Sequence, residues 1–361
     1  MRKLINLTLA TDISGAGGIS TVLDSYRQSG FLEKHNVRLI VTHRGENKFG
    51  FLGAGFLYIS ALVKLFFYLI FRRIGLVHIH MASRGSYIRK SLIVRLVKWL
   101  GGKVIIHLHG AEFREFYSDE CNSRWQKHIR RTFDLADSVI VLSSHWITWA
   151  KSTLHKSDHV QVIYNAVPKM TVSRAKVRPG LVLFLGRIGQ RKGVLELIRA
   201  FAQVVRIHPN ACLKLGGDGN IKPYIQEVQA LGLQEKVEFL GWVSGEKKRR
   251  LISEADVYCL PSYNEGFPMG ILEAMSSGIP IVSTFAGGIP DAITHNEDGL
   301  LVEAGDVNAL AGSIIALIED RDLNRRLSEA ALKKFDMNFS LDAIIPQLDV
   351  LYGKLLNVGD G

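Results

Sequence analysis

A chain of 361 residues, 47% of them hydrophobic, exceeds one ordinary core and can fill two, which excludes a disordered chain and makes two domains the expectation. Three scattered cysteines, Cys121, Cys212 and Cys259, have no metal-ligand spacing, which argues for a reducing compartment and against a zinc site. The net charge of +11 is unevenly spread: residues 1–175 hold 25 Lys and Arg against 11 Asp and Glu, giving +14, and the remainder hold 20 against 23, giving −3. Between Glu46 and Glu112 there is no acid, only cations such as Lys64, Arg72, Arg73, Arg89 and Lys90, so this block either meets an anionic partner or repels itself.

Residues 3–10 alternate as a buried strand. Their apolar part is too short for a signal peptide, contains Asn6 and meets Asp12 without a cleavage site. Residues 12–22 read as a glycine-rich turn opening a helix, where Gly15, Gly17 and Gly18 let backbone approach a ligand. A strand-to-helix turn also needs glycine on steric grounds alone, and the full dinucleotide fingerprint spacing is absent. Residues 37–42 form a second strand. Residues 51–71 are almost wholly apolar, carry Lys64 near the middle and end at Arg72 and Arg73. Three readings stand: a membrane span, a core helix between strands, or a helix presenting an apolar and basic edge to lipid headgroups.

Strands over residues 75–80, 103–109, 137–142 and 159–164 alternate with helices over 89–100 and 125–135. That alternation predicts a parallel sheet covered on both faces, with ligands at the carboxyl ends of its strands. His109, followed by Gly110 and Glu112, lies at such an end, although a strand-end histidine is as readily structural. His78 and His80 are read as structural.

Residues 164–168 close the first domain, and the polar stretch 169–180 reads as a linker. The alternation then restarts. Residues 181–185 form a strand, followed by a loop containing Gly186, Arg187, Gly189, Arg191, Lys192 and Gly193. Three cations and three glycines between a strand end and a helix N-terminus suit a polyanion, with a charged surface loop as the alternative. Gly216, Gly217 and Gly219 make the next turn, and residues 237–243 end at Val243; both stretches are plain turns or nucleotide contacts. A strand over 256–260 delivers Glu265-Gly-Phe-Pro-Met-Gly-Ile-Leu-Glu273, which places one carboxylate in a tight turn and a second inside a helix. Amides at that helix N-terminus suit a phosphate, and the flanking carboxylates suit sugar and ribose hydroxyls. Strands over 280–284 and 299–302 complete the sheet, and the pattern is helical from residue 306.

The Glu-x7-Glu stretch, residues 265–282, resembles the signature of retaining nucleotide-sugar glycosyltransferases of the large family numbered four, which have the GT-B fold. The resemblance implies an α/β chain of GT-B architecture, two Rossmann-like doubly wound domains facing across a cleft. These would be residues 1–168 on the acceptor side and 169–339 for the nucleotide sugar, with a terminal helix over 340–361 returning to the first. It implies that Glu265 contacts the donor sugar and Glu273 the ribose, that Arg187 and Lys192 hold the diphosphate, and that His109 hydrogen-bonds near the sugar. Backbone at Phe267, Met269, Gly270, Ile271 and Leu272 would meet sugar and phosphate, Gly17 and Gly18 the donor phosphates and acceptor, and Gly217 and Val243 the nucleotide.

The donor is then a nucleotide-diphosphate sugar used as substrate, with no cofactor. Fixed cations at the departing diphosphate stabilise the transition state as a metal would. No Asp-x-Asp lies at a strand end; Asp320 and Asp322 sit in a charged helical stretch, so transfer is expected to be metal-independent. The family implies retention, by front-face attack with the departing phosphate assisting deprotonation. The expected acceptor is a saccharide or polyprenol-linked saccharide in surface polysaccharide synthesis. The expected location is cytoplasmic, peripheral on the membrane's inner face through the basic first domain, with no nucleic acid bound. Two alternatives stand: a nucleotide-sugar epimerase of the same architecture, and a non-catalytic basic protein binding membrane or nucleic acid.

Overall fold

The structure is a computed structural model describing residues 4–13, 15, 17–43 and 50–357. It divides into two compact units, residues 1–166 with 341–361, and residues 167–340. Each is a six-stranded parallel sheet between helices, so the chain has the two Rossmann-like α/β units of the GT-B architecture.

The first unit runs β1 (Ile5–Thr11), α1 (Gly18–Gln28), α2 (Phe31–Lys34), β2 (Val37–His43), α3 (Gly50–Phe71), β3 (Ile74–Met81), α4 (Gly85–Trp99) and β4 (Val104–Leu108). After the single turn α5 (Phe113–Glu115) come α6 (Ser123–Asp134), β5 (Ser138–Val141), α7 (His145–Thr153) and β6 (Val160–Val162). Spatial order is β2-β1-β3-β4-β5-β6, so the chain reverses direction across the sheet between β1 and β3, the position where open α/β sheets bind ligands. Continuous apolar runs such as Val-Ile-Ile-His-Leu in β4 are buried on both faces, as a covered parallel sheet requires. The final helix, α15 (Leu341–Asn357), also belongs to this unit. Tyr352 packs edge-on against Phe31, and Asp349 accepts from Lys34 Nζ at 2.6 Å.

Helix α3 resolves one open reading. Gly53–Phe71 is long and apolar enough to cross a membrane, with a mean hydropathy of 2.0, yet only 11% of that stretch is buried. Ala61 and Leu65 sit in the core beside Tyr58, Leu62 and Leu69, while Phe56 (77% exposed), Ile59, Val63, Phe66, Phe67, Ile70 and Phe71 face outward. A helix wholly enclosed between strands is therefore not what forms. One side docks on the sheet and the other is bare.

The second unit contains β7 (Leu181–Leu185), α8 (Val194–Ile207), β8 (Cys212–Gly216), α9 (Lys222–Ala230), β9 (Val237–Gly241), α10 (Gly245–Glu254), β10 (Val257–Leu260), α11 (Met269–Ser276), β11 (Ile281–Thr284), α12 (Ile289–Ala292) and β12 (Leu300–Val302). Helices α13 (Val307–Glu319) and α14 (Arg321–Asn338) close it. Strand order β12-β11-β10-β7-β8-β9 puts its reversal between β10 and β7. The stretch 169–180, expected as a linker, is fastened to this unit: Arg174 donates to Ala255 O at 2.8 Å and Arg178 N–H to Glu254 O at 2.9 Å. Asp320 caps α14, accepting from the amides of Asp322 and Leu323.

Candidate functional site

Two loops of the second unit flank its reversal point, one after β7 and one after β10. They touch backbone to backbone. Gly193 adopts φ +65°, and a side-chain carbon there would lie 2.0 Å from Pro261 O, so only glycine lets the cation-bearing loop approach the β10 loop this closely. Tyr263 N–H donates to Arg191 O at 2.8 Å, and Arg191 returns a bond to Asn264 O at 2.7 Å. The neighbouring turn is stitched on by Gly186 N–H to Gly216 O at 2.9 Å and Gly217 N–H to Gly241 O at 2.8 Å. Val243 is buried just beyond β9.

The charges of this region are paired in a way their spacing did not disclose. Glu265, 6% exposed, pairs through Oε1 with Lys192, accepts from Ser262 Oγ at 2.7 Å, and has Arg191 3.6 Å from Oε2. Glu273, 9% exposed on α11, accepts from Lys248 Nζ at 2.5 Å. A buried carboxylate held by an ammonium is satisfied but exchangeable: an incoming diphosphate competes for the cation, and a hydroxyl donor can take its place on the acid. Arg187 stands exposed on the same loop with no ion pair among the described residues. Lys192 and Glu265 are thus together, and Glu273 has its own partner.

Pro268 is the N-cap of α11, in extended conformation with no side-chain cap. The amides of Ile271 and Leu272 turn back to Pro268 O at 3.1 and 3.4 Å, while those of Met269 and Gly270 begin the helix and have no intrahelical acceptor. Ile271 and Leu272 bury their side chains in the core, so only their backbone is available to a ligand. Phe267 packs on Phe339 with ring centroids 5.3 Å apart.

In the first unit, Gly17 (φ 139°) is the N-cap of α1 and Gly18 its first residue, in the loop after β1. His109 follows β4, its amide donating to Met81 O at 2.7 Å and its Nε2 lying 2.8 Å from His80 Nδ1. His80 stacks on His78 at 4.6 Å, and His78 is hydrogen-bonded to His107 at 3.2 Å and to the Tyr352 hydroxyl at 2.9 Å. His78 and His80, set aside from sequence as structural, are therefore one connected series with His109. Burial, then the Lys90 charge, pushes His109 down to about 3, and burial foremost pushes His78 to about 3 and His80 well down, so the series is neutral. Nitrogens of His78, His80 and His107 lie within 4.8 Å of one another, a spacing that could hold a metal ion. Glu112, three residues beyond His109, accepts from Arg84 at 2.5 Å.

Sequence reasoning missed Lys248, which lies in the run Lys247-Lys-Arg-Arg250 and reads as a solvated helix face. It also missed Ser262 and Tyr258, whose hydroxyl donates to Leu185 O at 3.1 Å directly beneath Gly270.

Two family models meet end to end on the chain: Glycosyltransferase Family 4 over residues 8–169 and Glycosyl transferases group 1 over residues 169–334. A relative, the N-acetyl-alpha-D-glucosaminyl L-malate synthase of Bacillus anthracis, is 27% identical over 298 residues, covering 78% of this chain and 75% of its own length. The fold is shared with Anabaena HepE, solved with UDP and glucose (TM-score 0.75, 22% identity, 97% of this chain and 100% of that chain). It is also shared with sucrose-phosphate synthase from Thermosynechococcus elongatus (TM-score 0.81, 20% identity, 99% of this chain and 100% of that chain). With both of its units matched in turn by these models, the chain belongs to the family 4 glycosyltransferases of GT-B architecture.

Proposed function

We propose that this protein is a retaining, metal-independent hexosyltransferase that uses a UDP-sugar and glycosylates a saccharide or polyprenol-linked saccharide in surface polysaccharide synthesis. The observation that carries the reading is the loop pair at the second unit's reversal point, where Lys192 and Arg191 meet Glu265 and the exposed Arg187 has no ion pair among the described residues. Breaking the anomeric bond leaves charge on the departing diphosphate. Arg187, Lys192 and the first amides of α11 supply positive potential where that charge grows, which lowers the barrier more than it tightens ground-state binding. When Lys192 turns to phosphate, Glu265 is released to accept from a donor-sugar hydroxyl, and Glu273 accepts from ribose. His109, held neutral, hydrogen-bonds near the sugar. The printed names of relatives support the donor class: HepE was solved with UDP-glucose, and the Bacillus relative is named for an N-acetylglucosaminyl product.

The test is a set of UDP-sugars assayed on wild type, Glu273→Ala and Arg187→Ala, with anomeric configuration read by NMR and activity repeated in chelator. Weaker UDP binding by the first variant, lower kcat in the second, a retained anomer and chelator-resistant turnover are expected. Unchanged kinetics in both variants would remove the site assignment; an inverted product or loss in chelator would remove the mechanism; product without acceptor would favour an epimerase.

The same reading places the protein peripherally on the cytoplasmic leaflet. Its support is the bare apolar side of α3, continued by Ile88, Leu92 and Trp99 (79% exposed) on α4, which α3 touches through Tyr58 Oη donating to Arg89 O at 2.6 Å. Lys64, Arg72 and Arg73 are exposed along α3 and its end, as an anionic lipid surface requires. Co-sedimentation with phosphatidylglycerol vesicles, reduced by Phe56→Glu with Phe67→Glu and by salt, is expected; resistance to carbonate extraction would instead indicate a span, and no sedimentation would end the proposal.

A further inference from the structure

Lys90 is the least expected charge in the first unit. It sits one turn into α4, is 3% exposed, and among the described residues has a single hydrogen-bond acceptor, Ser86 Oγ, at 3.3 Å. An ammonium has three N–H groups to place, and no carboxylate lies within ion-pair distance among the described residues. Its neighbour Arg89 has a buried Nε with no hydrogen-bond partner among the described residues. Burying one cation beside another without an acid is costly, and proteins tolerate it where a ligand supplies the missing charge.

The position is as informative as the charge. Ser86 Oγ accepts from Ala82 N–H at 3.1 Å, which ties Lys90's one acceptor to the loop after β3, at the β1/β3 reversal. The groups that feel the Lys90 charge from other elements are His43 at the end of β2, His80 on β3 and His109 after β4, all of them neutral. None can neutralise it. The acids placed at that edge, Asp12 after β1 and Glu112 after β4, form no ion pair with Lys90 among the described residues.

We propose that Lys90 and Arg89, with Ser86, form an oxyanion subsite in the first unit that takes a phosphate or carboxylate group of the acceptor. For its role in turnover this rests on the glycosyltransferase reading above; for binding it does not. The substrate class narrows accordingly, from any saccharide to an anionic one, either a phosphate-linked saccharide or a sugar acid. Burial, followed by Arg89, pushes Lys90 down to about 7, so an oxyanion that settles on it draws a proton onto the neutral amine, forming the ammonium, near neutral pH.

The experiment is calorimetric titration of the full chain, presaturated with UDP to occupy the donor loops, with inorganic phosphate in one arm and malonate in the other. Wild type, Lys90→Met, Lys90→Gln and Lys90→Arg are compared, in two buffers of different ionisation enthalpy. Expected are saturable binding with proton uptake in wild type and a loss of about tenfold or more in Lys90→Met and Lys90→Gln, as removal of a charge-assisted bond gives. Lys90→Arg should restore part of it. Preference between the arms identifies phosphate or carboxylate. In turnover assays the Met variant should raise the acceptor KM while leaving the donor KM in place. Equal phosphate and malonate binding by wild type and both neutral variants, or no binding in either arm, overturns the subsite. Loss of UDP affinity in Arg187→Ala with intact Lys90 behaviour leaves it standing, so the two readings fail separately.

Discussion

Lys90→Met should make the protein more stable, and by an amount that depends on pH in a calculable way. Moving a lysine from 10.5 to about 7 by burial corresponds to roughly 5 kcal/mol, at about 1.4 kcal/mol per unit of pKa. The folded chain then holds fewer protons than the unfolded chain between about 7 and 10.5, so wild-type stability rises with pH across that window and the full penalty applies below it. The Met variant has no such slope from this position. Subtracting the two curves cancels the buried tyrosines Tyr26 and Tyr352, which both proteins share, while His43, His80 and His109, which the Lys90 charge holds down, stay neutral across that window in both. The gap in favour of Lys90→Met should be roughly 5 kcal/mol near pH 6 and shrink to about 1–2 kcal/mol near pH 9.5. Urea unfolding at a series of pH values in phosphate-free buffer measures it. A gap that stays constant with pH, or a variant less stable than wild type throughout, would refute the claim that Lys90 is buried without a counter-charge.

Further consequences follow from close contacts in the second unit. A methyl at Gly270 would lie 2.2 Å from the Tyr258 hydroxyl, so Gly270→Ala should cost about 1–3 kcal/mol in denaturant unfolding, and adding Tyr258→Phe should return part of that. Lys248→Met removes the partner of Glu273; a stability loss of about 1–3 kcal/mol is expected, with UDP affinity from calorimetry reporting whether the carboxylate still meets the nucleotide. Gly193→Ala combines φ +65° with the Pro261 O clash, so the loop carrying Arg191 and Lys192 must shift, and kcat with a UDP-sugar should fall by about tenfold or more as positioning is lost.

Much of the architecture is local information. Runs such as Leu-Val-Leu-Phe-Leu in β7 and Val-Tyr-Cys-Leu in β10, each followed by a glycine- or proline-bearing loop and a helix, fix strand identity and the parallel connection without any long-range contact. The cations of residues 187–192 and the acids Glu265 and Glu273 are likewise conspicuous by type and by place, at strand ends and a helix start. Stretch 51–71 marks the limit: composition made it apolar, and three environments satisfy that equally well until the sheet takes one side of the helix and leaves the other uncovered.

What folding alone decided is who meets whom. Lys192 and Glu265 are 73 positions apart and Lys248 and Glu273 are 25 apart, and no periodicity reports such distances, because they depend on which strands become neighbours. The histidines show it most clearly. His78 and His80 on β3 acquire His107 and His109 as partners only because β3 pairs with β4 in the register that sets His80 opposite His107. Lys90, one cation among many in an acid-free stretch, becomes singular only when α4 folds it inward. Residue type and local spacing determined the elements and the kind of chemistry they carry; the order of the strands determined which charges are paired and which are buried without a counter-charge among the described residues, since pairing energy depends on distance and burial, and neither exists before the chain folds.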